Sequence, residues 1–193
     1  MNFPTQLTVG RLVLCIAFTF FLEVDLHYSG CFALVIFLLA SITDWLDGYY
    51  ARKLKQVTDL GKLLDPLADK ILISAAFIAF AAKDLVPAWI VVCIISREFM
   101  ITGLRSLAAS KGIILAAQTI GKHKTVSQII TAVVGLFILT LRDFQASEQV
   151  LADIQGYVLE PLIYITLAIT LYSGVAYFVS NQKLVFESLE KDR

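Results

Sequence analysis

Six apolar stretches, each about as long as the hydrocarbon core of a bilayer requires, decide what this chain can fold into. They run over about 8–23, 30–50, 63–82, 86–108, 125–141 and 158–180. A helical crossing of roughly 30 Å takes about 20 predominantly apolar residues. The layer holds no water for backbone N–H and C=O groups, so each stretch must close its hydrogen bonds internally, as a helix. The expected fold is an all-α integral membrane protein with six transmembrane helices. Composition agrees: 58% of the 193 residues are hydrophobic and only 17% are charged, where a soluble domain is about a quarter charged.

Arg11 ahead of the first apolar stretch gives the start of the chain the look of a signal peptide. No small-residue cleavage site follows it, and Glu23 and Asp25 come directly after, so the stretch is expected to be an uncleaved first span. Asn2 to Gln6 is expected to form a short interfacial segment along the membrane surface. Orientation follows from the basic residues. Arg52, Lys53, Lys55, Lys62, Arg105, Lys111, Lys122 and Lys124 cluster around the linkers after spans two and four. The linkers after spans one, three and five carry only Lys83 and Arg142, alongside Glu23, Asp25, Asp84, Asp143, Glu148 and Asp153. Both termini and the two basic linkers are therefore expected in the cytoplasm. No linker composition splits the chain, and residues 1–193 are expected to form one domain. Cys15, Cys31 and Cys93 lie within apolar runs without disulfide or zinc spacing, and read as small packed hydrophobes. With a formal net charge of zero, nothing marks nucleic acid as a partner.

Ionisable side chains inside a span are costly and by default functional. Residues 44–69 hold a concentration of them. Asp44, Asp47, Gly48 and Ala51 stand at i, i+3, i+4 and i+7, which is one face of a helix, and Arg52 follows. Gly61, Asp65 and Asp69 stand at i, i+4 and i+8, one face of the next. The short connection predicts two antiparallel helices that turn four carboxylates toward one another. Such carboxylates cannot all stay ionised without cations. A hard oxygen donor set suits two magnesium or manganese ions, the usual clamp for phosphoryl chemistry. Gly48, Ala51 and Gly61 let a phosphate-bearing ligand approach the backbone, and Arg52 offers it a fork-shaped donor. All of this lies near the ends of spans two and three that face the cytoplasm.

The run from Asp44 to Asp69 resembles the signature of the CDP-alcohol phosphotransferase family, matching all eight of its fixed positions without a gap. The resemblance implies a six-span enzyme in which Asp44, Asp47, Asp65 and Asp69 bind two metal ions and Asp69 also deprotonates the acceptor hydroxyl. It places Asp47, Gly48, Arg52 and Thr58 against the CDP moiety. Thr5-Gln6-Leu7-Thr8 and Arg11 look like the family's nucleotide-side start. The implied chemistry is attack of an alcohol on the lipid-side phosphorus of a CDP-linked lipid, with CMP leaving. A homodimer is implied in the same way.

The acceptor is read from other residues. Glu98 and Arg105 share a face of span four, with Arg97 beside it. Gly121-Lys122-His123-Lys124-Thr125 opens span five, with Gln128 following. A helix N-terminus carrying two lysines is an anion site, so Arg97, Arg105, Lys122 and Lys124 are candidates for an acceptor's own phosphate. Glycerol 3-phosphate and inositol phosphate both fit. The two segments resemble those of the family branch that makes phosphatidylglycerophosphate in bacteria, which implies CDP-diacylglycerol and glycerol 3-phosphate as substrates at the inner face of the cell membrane. Synthesis of phosphatidylinositol phosphate or phosphatidylserine is the alternative within the family. From a different class, a divalent-cation transporter would also use carboxylates, though such proteins place them near the midplane, often on broken helices with internal symmetry.

Overall fold

The computed structural model describes residues 3–24, 26–54, 59–110 and 120–182, with side chains described for 10–24, 26–43, 70–109 and 123–182. Every regular element among them is helical. In chain order these are α1 (Phe3–Glu23), α2 (Ser29–Leu54), α3 (Asp59–Ala82), α4 (Ala88–Ser110), α5 (Ile120–Asp143), α6 (Glu148–Ile154), a π-helical turn (Gln155–Leu159) and α7 (Glu160–Ser180). The last three run on without a break from Glu148 to Ser180, so the described helices make six rods, each overlapping one of the expected apolar stretches.

Several boundaries differ from the apolar runs, for physical reasons. Helix α1 begins at Phe3, so Phe3 to Gln6 of the expected interfacial segment are helical, and Asn2 lies outside the described residues. Helix α2 runs on to Leu54 and α3 begins at Asp59, because backbone hydrogen bonding does not stop where side chains turn polar. The last rod starts ten residues before the apolar run at 158, at Glu148. There Ser147 caps the helix by accepting from the Val150 N–H at 3.4 Å. The π turn inside this rod is local, of the kind that inserts an extra residue into an α-helix.

One end of the bundle is closed by three short turns, between α1 and α2, α3 and α4, and α5 and α6. Each uses a non-glycine residue in the left-handed region: Tyr28 (φ 66°), Asp84 (φ 56°) and Gln145 (φ 54°). The turns are tied together. Asp143 Oδ2, at the end of α5, accepts from the backbone N–H of Gly30 at 2.7 Å and of Cys31 at 3.2 Å, capping α2 from a neighbouring helix. Gln155 Nε2 donates to the Asp84 carbonyl at 3.3 Å, and the rings of Tyr28 and Phe144 lie 5.1 Å apart.

Helices α1 and α2 pack together, α5 packs against α2, α3 and α7, and α4 packs against α3 and α7. Phe18, Phe37, Phe77, Phe80, Leu136 and Ile163 fill the interior. Small residues set the closest approaches, as expected where lipid is as apolar as the helix faces. A Cβ on Gly30 would stand 2.7 Å from the Leu139 carbonyl carbon, and one on Gly135 only 2.5 Å from the Phe80 ring. Cys15 is buried among these side chains, and Cys15, Cys31 and Cys93 are all free thiols, in keeping with their apolar settings.

Polarity is arranged for lipid. Large aliphatic and aromatic side chains such as Ile16, Val92, Tyr172 and Val175 are exposed, while Glu98, Lys124, Gln128, Thr131, Thr166, Thr170 and Ser173 are buried. Among the described residues, two helices, His123–Asp143 and Glu148–Ser180, are long and apolar enough to cross a membrane. Ser29–Thr43 and Lys70–Ala82 are shorter apolar helical stretches. Threonine hydroxyls within the rods are satisfied by the carbonyl one turn back, as for Thr19 on Cys15, Thr43 on Leu39 and Thr140 on Leu136.

Candidate active site

The carboxylate constellation sits on helical backbone throughout. Asp44, Asp47, Gly48, Ala51 and Arg52 belong to the last turns of α2, and Gly61, Asp65 and Asp69 to the first turns of α3. The one-face spacing in each set requires unbroken helix at those positions, and both helices extend beyond the apolar runs far enough to provide it. In the described packing, α2 lies against α1 and α5, and α3 against α1, α4 and α5. Both carboxylate-bearing helices therefore share α1 and α5 as neighbours. The side chains of Asp44, Asp47, Arg52, Asp65 and Asp69 lie outside the described residues. So do the side chains of Thr5, Thr8, Ala51 and Lys122, the surroundings of Gly48 and Gly61, and the whole of Thr58. Whether the carboxylates face one another falls there too.

Arg11 is described. It stands on α1, which packs against both α2 and α3, and it is only 1% exposed. A guanidinium buried on a helix that packs against both carboxylate-bearing helices keeps its charge in the interior.

The acceptor-side candidates separate in the structure. Lys124 Nζ lies 2.5 Å from both carboxylate oxygens of Glu98. Arg97 Nη1 reaches the same carboxylate at 3.1 Å, and its Nη2 donates to Ser173 Oγ at 3.0 Å. One acidic side chain on α4 thus gathers a lysine from α5 and an arginine that is itself anchored on α7. The Arg97 stem runs past Gly174, where a Cβ would come within 3.1 Å of its Cγ. Lys70 of α3, next to Asp69 in the chain, donates to Thr102 Oγ1, and Thr102 in turn donates to the Glu98 carbonyl at 2.7 Å. Helices α3, α4, α5 and α7 therefore meet at one polar junction. Arg105, two turns further along α4, is exposed and stands outside it.

Sequence reasoning paired Arg97 with Glu98 only as neighbours and treated Lys124 as one of two equivalent basic residues. Glu98 is part of the acceptor segment read from the sequence but not of its cation set, and Lys70 and Ser173 are in neither. A signal for Glu98 existed: a carboxylate in mid-span needs a partner. Chemically, Lys124 and Arg97 both contact the one carboxylate of Glu98, and Lys70 joins the junction through Thr102. Two cations on one buried carboxylate leave a positive charge that suits an anionic ligand.

The described fold is a helical bundle whose largely apolar core encloses one polar junction and whose outer face carries large apolar side chains. Comparison with known proteins makes the class specific. The sequence profile of the CDP-alcohol phosphatidyltransferase family matches residues 1–175, and the chain belongs to that family. The family is membrane-bound and generally dependent on a divalent metal. Among its relatives is the CDP-diacylglycerol–glycerol-3-phosphate 3-phosphatidyltransferase of Bacillus subtilis, 42% identical over 93% of this chain and 95% of that one. The Rickettsia bellii protein of the same name is 34% identical over 94% of this chain and 96% of its own length. An Arabidopsis thaliana protein, CDP-diacylglycerol–glycerol-3-phosphate 3-phosphatidyltransferase 2, is 34% identical over 92% of this chain and 78% of its own.

Proposed function

We propose that this chain transfers the phosphatidyl group of CDP-diacylglycerol to glycerol 3-phosphate, giving phosphatidylglycerophosphate and CMP. The observation that carries the reading is the 42% identity to the Bacillus subtilis phosphatidyltransferase across nearly the whole of both chains. The buried Arg97–Glu98–Lys124 junction supports it, because glycerol 3-phosphate brings a phosphate of its own that needs cations separate from those on the nucleotide.

In this reading residues 1–193 work as one domain of six spans in a bacterial cell membrane, with both termini and the active site on the cytoplasmic side, as a homodimer. Asp44, Asp47, Asp65 and Asp69 form a donor set of hard oxygens that fits two Mg2+ or Mn2+ ions. When bound, the ions neutralise negative charge developing on the reacting phosphoryl oxygens. Thr5, Thr8, Asp47 and Thr58 line the nucleotide, Arg52 grips the pyrophosphate, and Gly48, Ala51 and Gly61 allow its close approach. Arg97, Arg105, Lys122 and Lys124 hold the acceptor's phosphate. Asp69 takes the proton from the acceptor's terminal hydroxyl. The freed oxygen bonds to the lipid-side phosphorus, the bond from that phosphorus to the CMP oxygen breaks, and CMP leaves with the electron pair.

The test is transfer of label from radiolabelled glycerol 3-phosphate into the chloroform-soluble phase by purified enzyme in detergent micelles. Transfer should depend on CDP-diacylglycerol and on added Mg2+ or Mn2+. Lipid-soluble label appearing without CDP-diacylglycerol, or none appearing with it, would defeat the proposal.

A further inference from the structure

Two cross-links join α5 and α7 to each other and to α4, and between them lies an interval of buried polar groups that the roles above leave unused. On one side, Thr131 and Thr166 share a hydrogen bond at 2.8 Å. On the other, Lys124 meets Glu98 and Arg97 meets Ser173. Gln128 stands on α5 between Lys124 and Thr131, one helical turn from each. Thr170 stands on α7 between Thr166 and Ser173, again about one turn from each. Helical spacing puts both residues on the faces that carry the cross-links, so they occupy the same level of the junction.

Gln128 is 2% exposed and Thr170 is 0% exposed. Neither Gln128 Nε2 nor Thr170 Oγ1 has a hydrogen-bond partner, and Arg97 Nε, at the edge of the same interval, has none either. Buried polar atoms are almost always paired, and several orphans in one place call for an explanation. Two amide or guanidine donors and a hydroxyl that can donate or accept are the complement of an alcohol oxygen. They lie one turn from the cations assigned to a phosphate. That separation suits a short phosphorylated polyol, whose non-reacting hydroxyl is on the carbon next to the one bearing the phosphate ester.

We propose that Gln128 and Thr170 form a hydroxyl-recognition subsite that reads the acceptor's non-reacting middle hydroxyl, with Arg97 bridging it to the phosphate. The inference rests on the phosphatidyl-transfer reading and specifies how that site chooses its acceptor. A site built to hydrogen-bond a substrate hydroxyl rejects the analogue lacking it, because its own polar groups are then left unpaired. A second consequence is that removing those groups relaxes the choice.

The experiment compares glycerol 3-phosphate with 3-hydroxypropyl phosphate, which keeps the phosphate and the reacting hydroxyl and lacks only the middle one. The ratio of kcat/KM values is measured for wild type, Gln128→Met and Thr170→Val, with CDP-diacylglycerol saturating. Wild type should prefer glycerol 3-phosphate by about a hundredfold or more, and each variant should lose about tenfold or more of that preference. The KM for CDP-diacylglycerol should stay at its wild-type value. A variant that does not survive detergent is assayed in native membranes, where the ratio is independent of how much enzyme is folded. An unchanged ratio in both variants, or wild type that accepts the two compounds equally, would overturn the subsite while leaving the transferase reading intact. Wild type that transfers to neither compound would remove that reading, and the subsite with it.

Discussion

The two ends of the bundle treat polar groups in opposite ways. At the end made by the turns at Tyr28, Asp84 and Gln145, polar side chains close backbone. Asp143 caps the start of α2, Gln155 satisfies the Asp84 carbonyl, and Ser147 starts the last rod. Lys83, Arg142 and Asp143 also line a surface cavity there, together with Gly30 and Phe21. At the other end, α3 brings Lys70 to a junction where Arg97 and Lys124 share the single carboxylate of Glu98. Gln128 and Thr170 leave buried atoms unpaired next to it. A membrane helix bundle needs the first arrangement to stay folded. The second costs stability, and ionisable groups buried in a span are by default functional. Substitutions at the turn end should therefore cost stability without touching substrate constants, and those at the charged end should do the reverse.

The largest effect tests the charged end directly. Exhaustive chelation, or Asp44→Asn or Asp65→Asn, should abolish CMP release from CDP-diacylglycerol. Added Mg2+ or Mn2+ should restore the chelated wild type but not the variants. Full activity in chelated enzyme would break the contrast at its root.

Next in size, Asp69→Asn should lower kcat by about 10²–10⁴-fold, the usual contribution of a general base, while CDP-diacylglycerol still binds. Equilibrium binding of the lipid nucleotide, measured beside turnover, separates the two effects. Near-normal kcat would place the base elsewhere.

A smaller change is expected for the acceptor cations. Lys124→Gln should raise the KM for glycerol 3-phosphate by about ten- to a hundredfold, since charged hydrogen bonds contribute roughly 1.5–3 kcal/mol. The KM for CDP-diacylglycerol should hold. Arg105→Gln should act in the same direction and more weakly, because Arg105 is exposed where Lys124 is buried. Breaking one side of a buried pair also destabilises, by about 3–5 kcal/mol. Lys124→Gln combined with Glu98→Gln should recover stability but not the KM, which distinguishes a binding role from a folding one.

The smallest functional effect belongs to the turn end. Asp143→Ala removes the acceptor for two N–H groups and should cost roughly 1.5–3 kcal/mol of stability, read as a lower thermal midpoint in detergent. Both KM values should stay unchanged. A shift in the acceptor KM would mean that the two ends are coupled.

Much of this division was legible in the sequence. Apolar runs located all six rods, because lipid forces a helix wherever water is excluded. The proposed chemistry rests on the spacing of Asp44, Asp47, Asp65 and Asp69, whose side chains lie outside the described residues. Rod ends were less legible: α2 and α3 continue through polar residues to Leu54 and from Asp59, and the last rod begins at Glu148, because local hydrogen bonding sets helix ends as much as hydropathy does. The Lys124–Glu98 closure spans 26 residues, and no local pattern says that Lys124 turns inward. The stripe of Thr166, Thr170, Ser173 and Tyr177 on α7 does follow helical spacing. It was hidden because small hydroxyl residues blend into an apolar run when they are read by hydropathy alone.

One measurement bears most directly on the central claim. Purified enzyme in micelles with CDP-diacylglycerol and Mg2+ or Mn2+ is offered glycerol 3-phosphate, inositol, inositol phosphate and serine together, and the lipid products are identified by mass. The account predicts phosphatidylglycerophosphate as the dominant product, formed in step with CMP. Phosphatidylinositol phosphate or phosphatidylserine as the main product would place the chain in another branch of its family and contradict the acceptor assigned here.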